Sequence, residues 1–311
     1  MKRLRAELLL VVVTIIWGTT FVVVKAALAE VSPILFLALR FVLASLVLGA
    51  LFGKFVRRDG IAPAILAGVL LFFAYVFQTV GLKFTTPSKS AFLTSLAVPL
   101  VPLASSLVYR NRPRLPEAAG IVVATLGMVL MTVPSGAFSI GRGDVLSFLC
   151  AVTFALHIVV VGHFAPIVGF QSLAVVQTAV AALLSAVFWC AQVLWLAQPV
   201  HFRVPPELAG AVLLTGLFAT ALAFTAQAWA QQFTSATRAA LIFALEPVVA
   251  WFTAWMVDGE TLAIRGKVGA GLILGGILLV ELKRSKPEAH QIIEAESRDT
   301  LSRSSRRVEE E

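Results

Sequence analysis

The sequence predicts an all-α membrane protein of ten transmembrane helices built from two inverted five-helix repeats. Three observations lead there: the hydropathy, the length and spacing of the apolar runs, and the alignment of the chain with itself. Of 311 residues, 59% are hydrophobic and 14% charged, with a mean hydropathy of +0.92. Soluble domains carry about 25% charged residues, and so much apolar surface on a soluble particle would form aggregating patches. This excludes a soluble enzyme, and two cysteines exclude a disulfide-stapled secreted scaffold.

A membrane helix needs roughly 20 apolar residues to cross ~30 Å of hydrocarbon. Cutting at charge clusters and Pro/Gly breaks gives ten segments, near 7–29, 33–53, 61–82, 87–109, 117–134, 143–163, 170–196, 207–231, 235–257 and 266–283. Segment length, without a ten-residue alternation, selects helices over a barrel. Residues 1–6 form an N-terminal arm, and 284–311 read as a disordered tail of Glu, Arg and Ser. Lys2, Arg3 and Arg5 before an apolar run resemble a signal peptide, but the run continues to Val24, beyond the ~7–15 residues of an h-region, so the first helix is expected to stay uncleaved.

Lys and Arg in short loops set orientation. The arm carries Lys2, Arg3 and Arg5; the loop after span two carries Lys54, Arg57 and Arg58; the loop after span four carries Arg110, Arg112 and Arg114. All lie on the face that holds the tail, which predicts an inner-membrane protein with both termini cytoplasmic. The formal charge of +8 then reads mainly as an orientation signal rather than a nucleic-acid footprint, because the tail from Lys283 onward holds seven basic and seven acidic residues.

A shift of 137 residues brings Trp17 onto Phe154, Thr20 onto His157 and Arg40 onto Gln177. A shift of 148 brings Gly68 onto Gly216, Thr86 onto Thr234, Pro99 onto Pro247 and Gly127 onto Gly275. The repeats span 7–134 and 143–283. Five helices per repeat is odd, so the second copy inserts upside down, the construction that underlies alternating access around a midplane site.

The motif order resembles the EamA-type permeases of the drug/metabolite transporter superfamily. Ile16-Trp17-Gly18-Thr19-Thr20-Phe21 with Lys25 is similar to that family's opening helix, and Pro33 with Arg40 to its second. Glu246-Pro247 followed by Asp258-Gly259-Glu260-Thr261, and the glycines of 269–276, are similar to its last two helices. The first repeat departs by carrying Val98 where Glu246 aligns and Arg112 where Glu260 aligns. The resemblance implies a secondary carrier of small polar metabolites, often amino acids.

Ionisable groups at membrane depth cost roughly 2.5–3.5 kcal/mol on insertion scales, so each needs a partner or a wet cavity. Lys25 shares a helix face with Thr14, Gly18 and Phe21; it reads as a cavity cation for carboxylates or as a snorkelling lysine paired with Glu30. Arg40 reads as a bidentate carboxylate holder or as a cap on the carbonyls of a neighbouring helix. Glu246 lies near the midplane and reads as a coupling or binding carboxylate, or as a structural one paired with a basic residue. Pro247 removes a backbone donor and marks a hinge. His157 reads as a titrating group or as a hydrogen-bonding packing residue.

Thr220, Phe224, Gln227 and Gln231 make a polar-aromatic stripe on span eight, with Tyr75 and Gln78 a partial counterpart. Trp17 and Phe21 are candidate stacking surfaces, whereas Lys89 and Arg238 read as interfacial anchors and Cys150 and Cys190 as buried thiols. No histidine stands at metal-ligand spacing and no phosphate loop is present, so neither metal nor cofactor is expected. The expected partners are a small-molecule substrate and the lipid bilayer, with no nucleic acid and a monomer plausible. The function expected is alternating-access export of amino acids or related carboxylate-bearing compounds. The alternatives are carriage of a nucleotide-derived or drug-like solute, or a non-transporting membrane scaffold.

Overall fold

The structure is a computed structural model that describes residues 2–110, 113–132, 141–194, 202–203, 205–259, 261 and 263–282. The tail 284–311, Arg112 and Glu260 lie outside the described residues. Among the described residues the helices make ten passes. The first repeat comprises α1 (Lys2–Ala27), α2 (Pro33–Phe52), α3 (Ile61–Leu82), a fourth pass split into α4 (Pro87–Ser95) and α5 (Ala97–Tyr109), and α6 (Leu115–Thr132). The second comprises α7 (Arg142–Val168), α8 (Phe170–Leu194), an eighth pass of α9 (Pro206–Leu213) and α10 (Ala223–Ala230) joined by a π-helical stretch, Leu214–Leu222, a ninth pass split into α11 (Ala236–Phe243) and α12 (Glu246–Asp258), and α13 (Ile264–Leu282).

Ten passes put Lys2, at the start of α1, and Leu282, at the end of α13, at one face, the terminal face. Eight of the helical spans are long and apolar enough to cross a bilayer unaided, and α6 and α13 complete the two repeats. The sixth span runs further than the sequence predicts, to Val168 rather than 163, because Pro166 is accommodated inside its last turn. Leu4, Leu8, Val12 and Ile15 form an exposed stripe on α1, each about half exposed. In water that stripe would destabilise the fold; against lipid it is the expected outer surface.

Two of the ten predicted continuous helices are broken instead, at equivalent places. The fourth pass stops at Ser95 and restarts at Ala97, and the ninth stops at Phe243 and restarts at Glu246. Pro99 and Pro247 stand in the first turns of the second halves, where a missing N–H leaves no bond unmade. Each break is crossed by the first helix of the other repeat, α7 against α4 and α5, and α1 against α11 and α12.

Glycine permits two of the closest approaches. A Cβ on Gly18 would stand 2.6 Å from Val249 Cβ and 3.0 Å from the Glu246 carbonyl, so α1 touches the α12 backbone there. On the outer pair α6 and α13, a Cβ on Gly127 would stand 2.5 Å from the Gly269 carbonyl, and one on Gly276 2.6 Å from the Gly120 carbonyl. Lipid supplies no hydrophobic drive between helices, so backbone contact of this kind is what holds such a pair.

Candidate functional site

Where α1 and α7 cross the two breaks, a central cavity of about 40 Å³ remains, room for about three waters. Trp17, Thr20 and Phe21 reach it from α1, Tyr75 and Gln78 from α3, Phe154 and Ile158 from α7, and Gln227 from α10. The breaks contribute Thr94, Ser95, Ala97 and Val98 on one side and Ala240, Phe243 and Glu246 on the other. Glu246 is the charged group on this wall. It is the first residue of α12, with two residues between it and the end of α11, so the carboxylate projects from a helix start, where the partial positive end favours an anion.

The aromatic part of the wall is locked by ring contacts. Trp17 sits 5.2 Å, centroid to centroid, from both Phe224 and Phe243, and Tyr75 sits 5.4 Å from Phe154. These tilted and edge-on arrangements avoid the unfavourable face-to-face sandwich and pack the wall.

Arg40 is fully packed behind Tyr75. Its Nε and one terminal nitrogen donate to the Thr220 hydroxyl at 3.1 and 2.9 Å, the terminal nitrogen reaches Tyr75 OH at 3.5 Å, and the guanidinium lies 4.4 Å over the Tyr75 ring. The π-helical stretch makes this possible. Thr220 donates to the carbonyl of Thr215, five residues back, and its oxygen turns toward Arg40. One residue away the Trp17 indole donates to the Ala219 carbonyl at 2.9 Å. The protein acceptors of Arg40 are therefore hydroxyls and a ring face rather than the carbonyl cap the sequence offered as one reading. A second cavity of about 10 Å³, room for one water, has Arg40 on its wall and shares Thr20, Phe21 and Gln78 with the first.

The remaining expected site residues fall in four places. Trp17, Phe21, Tyr75, Gln78, Gln227 and Glu246 converge on the central cavity. His157 stands beside it rather than on its wall, with Nε2 2.8 Å from Gln177 Oε1. Lys25 lies apart: its ammonium donates to the carbonyls of Leu82, Lys83 and Thr85 at 2.7, 3.3 and 3.0 Å, capping the end of α3. Its bonds go there rather than to Glu30. Pro247 sits within the first turn of α12, one residue past the break.

Gln227 links the cavity to the terminal face. Its amide nitrogen donates to Gln231 Oε1 at 3.1 Å, and Gln231 donates to the Ile158 carbonyl. Gln231 is also on the wall of a polar vestibule of about 580 Å³, with Arg3, Tyr109, Arg110, Glu117, Thr234 and Arg238.

Sequence reasoning missed Thr94, Ser95 and Phe243, whose only sequence signal is their place around the two aligned prolines. It read Lys89 and Arg238 as interfacial anchors without naming their partners, which are Asp144 at 2.7 Å and Glu117 at 2.9 Å. Cys150 is buried as expected, but Cys190 is exposed on the outer surface of α8.

The model of the EamA-like transporter family matches the chain twice, over residues 4–133 and 141–282. An uncharacterized transporter of Archaeoglobus fulgidus is 34% identical over 282 residues, covering 91% of this chain and 87% of the relative. A protein named "Probable amino-acid metabolite efflux pump" of Salmonella typhimurium is 30% identical over 127 residues, 40% of this chain and 41% of that protein. A solved crystal structure superimposes with a TM-score of 0.71 at 21% identity, over 89% of this chain and 96% of the other. That likeness concerns the fold alone. With the family model matching both halves nearly end to end, the chain belongs to the EamA-like transporter family.

Proposed function

We propose that this membrane transporter is an alternating-access exporter of amino acids or related small metabolites, and that it reads them by their amino group. The observation that carries this is Glu246, the one charged group that the described residues place on the wall of a cavity lined by aromatic rings, amides, hydroxyls and a few aliphatic side chains. An ammonium group there gains a charge-assisted hydrogen bond, with the faces of Trp17, Phe21 and Tyr75 adding cation–π attraction. The sequence pointed to a carboxylate-first site built on Lys25 and Arg40. With Lys25 spent on backbone carbonyls and Arg40 behind Tyr75, the carboxylate of an amino acid becomes the secondary handle. It would face the Gln78 and Thr20 side, toward the small cavity that Arg40 borders. The likeness to an amino-acid metabolite efflux pump supports the same substrate class. The basic loops support cytoplasmic termini in the inner membrane.

Counterflow in proteoliposomes tests this with labelled leucine and two competitors, its decarboxylated amine (isopentylamine) and its deaminated acid (4-methylvalerate). Leucine flux inhibited by the amine and not by the acid is the expected result. Inhibition by the acid alone would overturn amino-group recognition. Absence of flux for leucine and for a mixed amino-acid pool would overturn the substrate class.

A further inference from the structure

Two ion pairs sit at opposite faces, their acids at repeat-equivalent positions and their bases offset by one residue from the 148-residue register, and they differ in state. At the face away from the termini, Lys89 pairs with Asp144, Nζ to Oδ2 2.7 Å. At the terminal face Arg238 stands near Glu7, with its terminal nitrogen 3.8 Å from Glu7 Oε1. Glu7 and Asp144 are separated by the same 137 residues that relate α1 to α7. Lys89 and Arg238 are the third residues of α4 and α11, each with its N–H accepted by the capping hydroxyl, Thr86 in one case and Ser235 in the other. Each pair thus joins the first helix of one repeat to the broken helix of the other. A cation in the first turn of a helix opposes the helix dipole, so neither base is placed there for the stability of its own helix.

The pair at the terminal face is incompletely made. Arg238 Nε is held by Glu117 Oε1 at 2.9 Å, while its Nη1 and Glu7 Oε2 are buried without hydrogen-bond partners. Glu7 Oε1 is meanwhile occupied by Arg3 at 2.9 Å and Thr234 at 3.3 Å. The 580 Å³ vestibule opens beside this loose pair, with Arg3, Thr234, Glu117 and Arg238 on its wall.

We infer that these pairs are the two locks of the transport cycle. Lys89–Asp144 holds the present state, closed at the face away from the termini; Arg238 exchanges Glu117 for Glu7 when the terminal face closes in the opposite state. The physical reason is the inverted repeat. Exchange of conformations between the halves turns a tight pair at one face into a tight pair at the other, and in that second state the unpartnered Nη1 and Oε2 gain each other. The proposal rests on the carrier reading but on no particular substrate.

The test places a reporter cysteine on the cavity wall, Ser95→Cys, in a chain with Cys150→Ser and Cys190→Ser. Labelling by a membrane-impermeant maleimide is timed from each face of oriented vesicles. Asp144→Asn, which keeps an acceptor for the Gly141 N–H, should raise labelling from the face away from the termini by about fivefold, the scale of one partly exposed pair. Lys89→Gln, which leaves that helix cap untouched, should do the same. Glu7→Gln should shift labelling the other way, toward the terminal face. Shifts of the same sign for Asp144→Asn and Glu7→Gln, or no shift in Lys89→Gln, would overturn the proposal. Labelling with the expected signs alongside absent leucine flux would overturn the substrate and leave the locks standing.

Discussion

The two broken helices share a backbone plan and differ in chemistry. Around the α4–α5 break the cavity wall is Thr94, Ser95, Ala97 and Val98; around the α11–α12 break it is Ala240, Phe243 and Glu246. Val98 and Glu246 occupy aligned positions, 148 residues apart. The neighbouring polar clusters differ in the same way. Arg40 in the first repeat bonds Thr220 and stacks on Tyr75, whereas its mate Gln177 bonds His157. The scaffold is symmetric, and the wall it builds is not. Each half can therefore drift in its site residues as long as the breaks, prolines and crossings are kept.

The sharpest way to break the asymmetry is Glu246→Gln. Loss of a buried charge partner is worth roughly 3–5 kcal/mol, so leucine counterflow should fall by about 100-fold or more while the melting temperature changes little. Moving the acid across the pseudo-symmetry axis, Val98→Glu with Glu246→Val, should restore part of the amine-inhibited flux, because both positions face the same cavity. Flux in that double variant no higher than in Glu246→Gln would show that the position at the start of α12, and not the charge in the cavity, carries recognition.

Next in size is Thr220→Val, which leaves the Arg40 guanidinium without its closest acceptor. An unsatisfied buried charge-assisted donor costs about 1–3 kcal/mol, read as a lower denaturation midpoint in detergent. Gly18→Ala should cost a similar ~1–3 kcal/mol by overpacking α1 against Val249 and the Glu246 carbonyl, and should slow flux by pushing the break open. Gly49→Ala, where the added methyl meets open space, is the control and should match the parent in both measurements. Tyr75→Phe is the smallest change. It keeps the ring under Arg40 and removes one long bond of 3.5 Å, so it should destabilise by no more than ~1 kcal/mol.

Much of the architecture was readable from the chain, because a bilayer imposes a one-dimensional rule: each crossing is a run of apolar residues of set length. The ten passes and the two five-helix repeats follow from that rule and from the aligned Gly and Pro positions. The breaks in the fourth and ninth passes were marked by Pro99 and Pro247, yet both passes read as continuous helices, with Pro247 a hinge and Pro99 only its aligned mate. Proline restricts one donor; whether the helix bends or restarts depends on what crosses it, here α7 and α1. The candidate site was readable in part. Trp17, Phe21, Tyr75, Gln78, Gln227 and Glu246 share the cavity, since polar and aromatic side chains on apolar spans stand out. Arg40 and Lys25 stood out equally and went elsewhere.

Residue type and spacing therefore settled membrane class, pass number and repeat order, all of which depend on local hydropathy and chain length. They could not settle partners. Arg40 meets Thr220 across 180 residues through a π-helical turn that no propensity announces, and Lys25 meets carbonyls 57 to 60 residues away. Lys89–Asp144 and Arg238–Glu7 connect opposite repeats. Pairings of this kind are set by helix rotation and crossing geometry, which arise only when all ten passes pack together. In a chain whose interior is mostly apolar, those few polar meetings separate an inert bundle from a carrier.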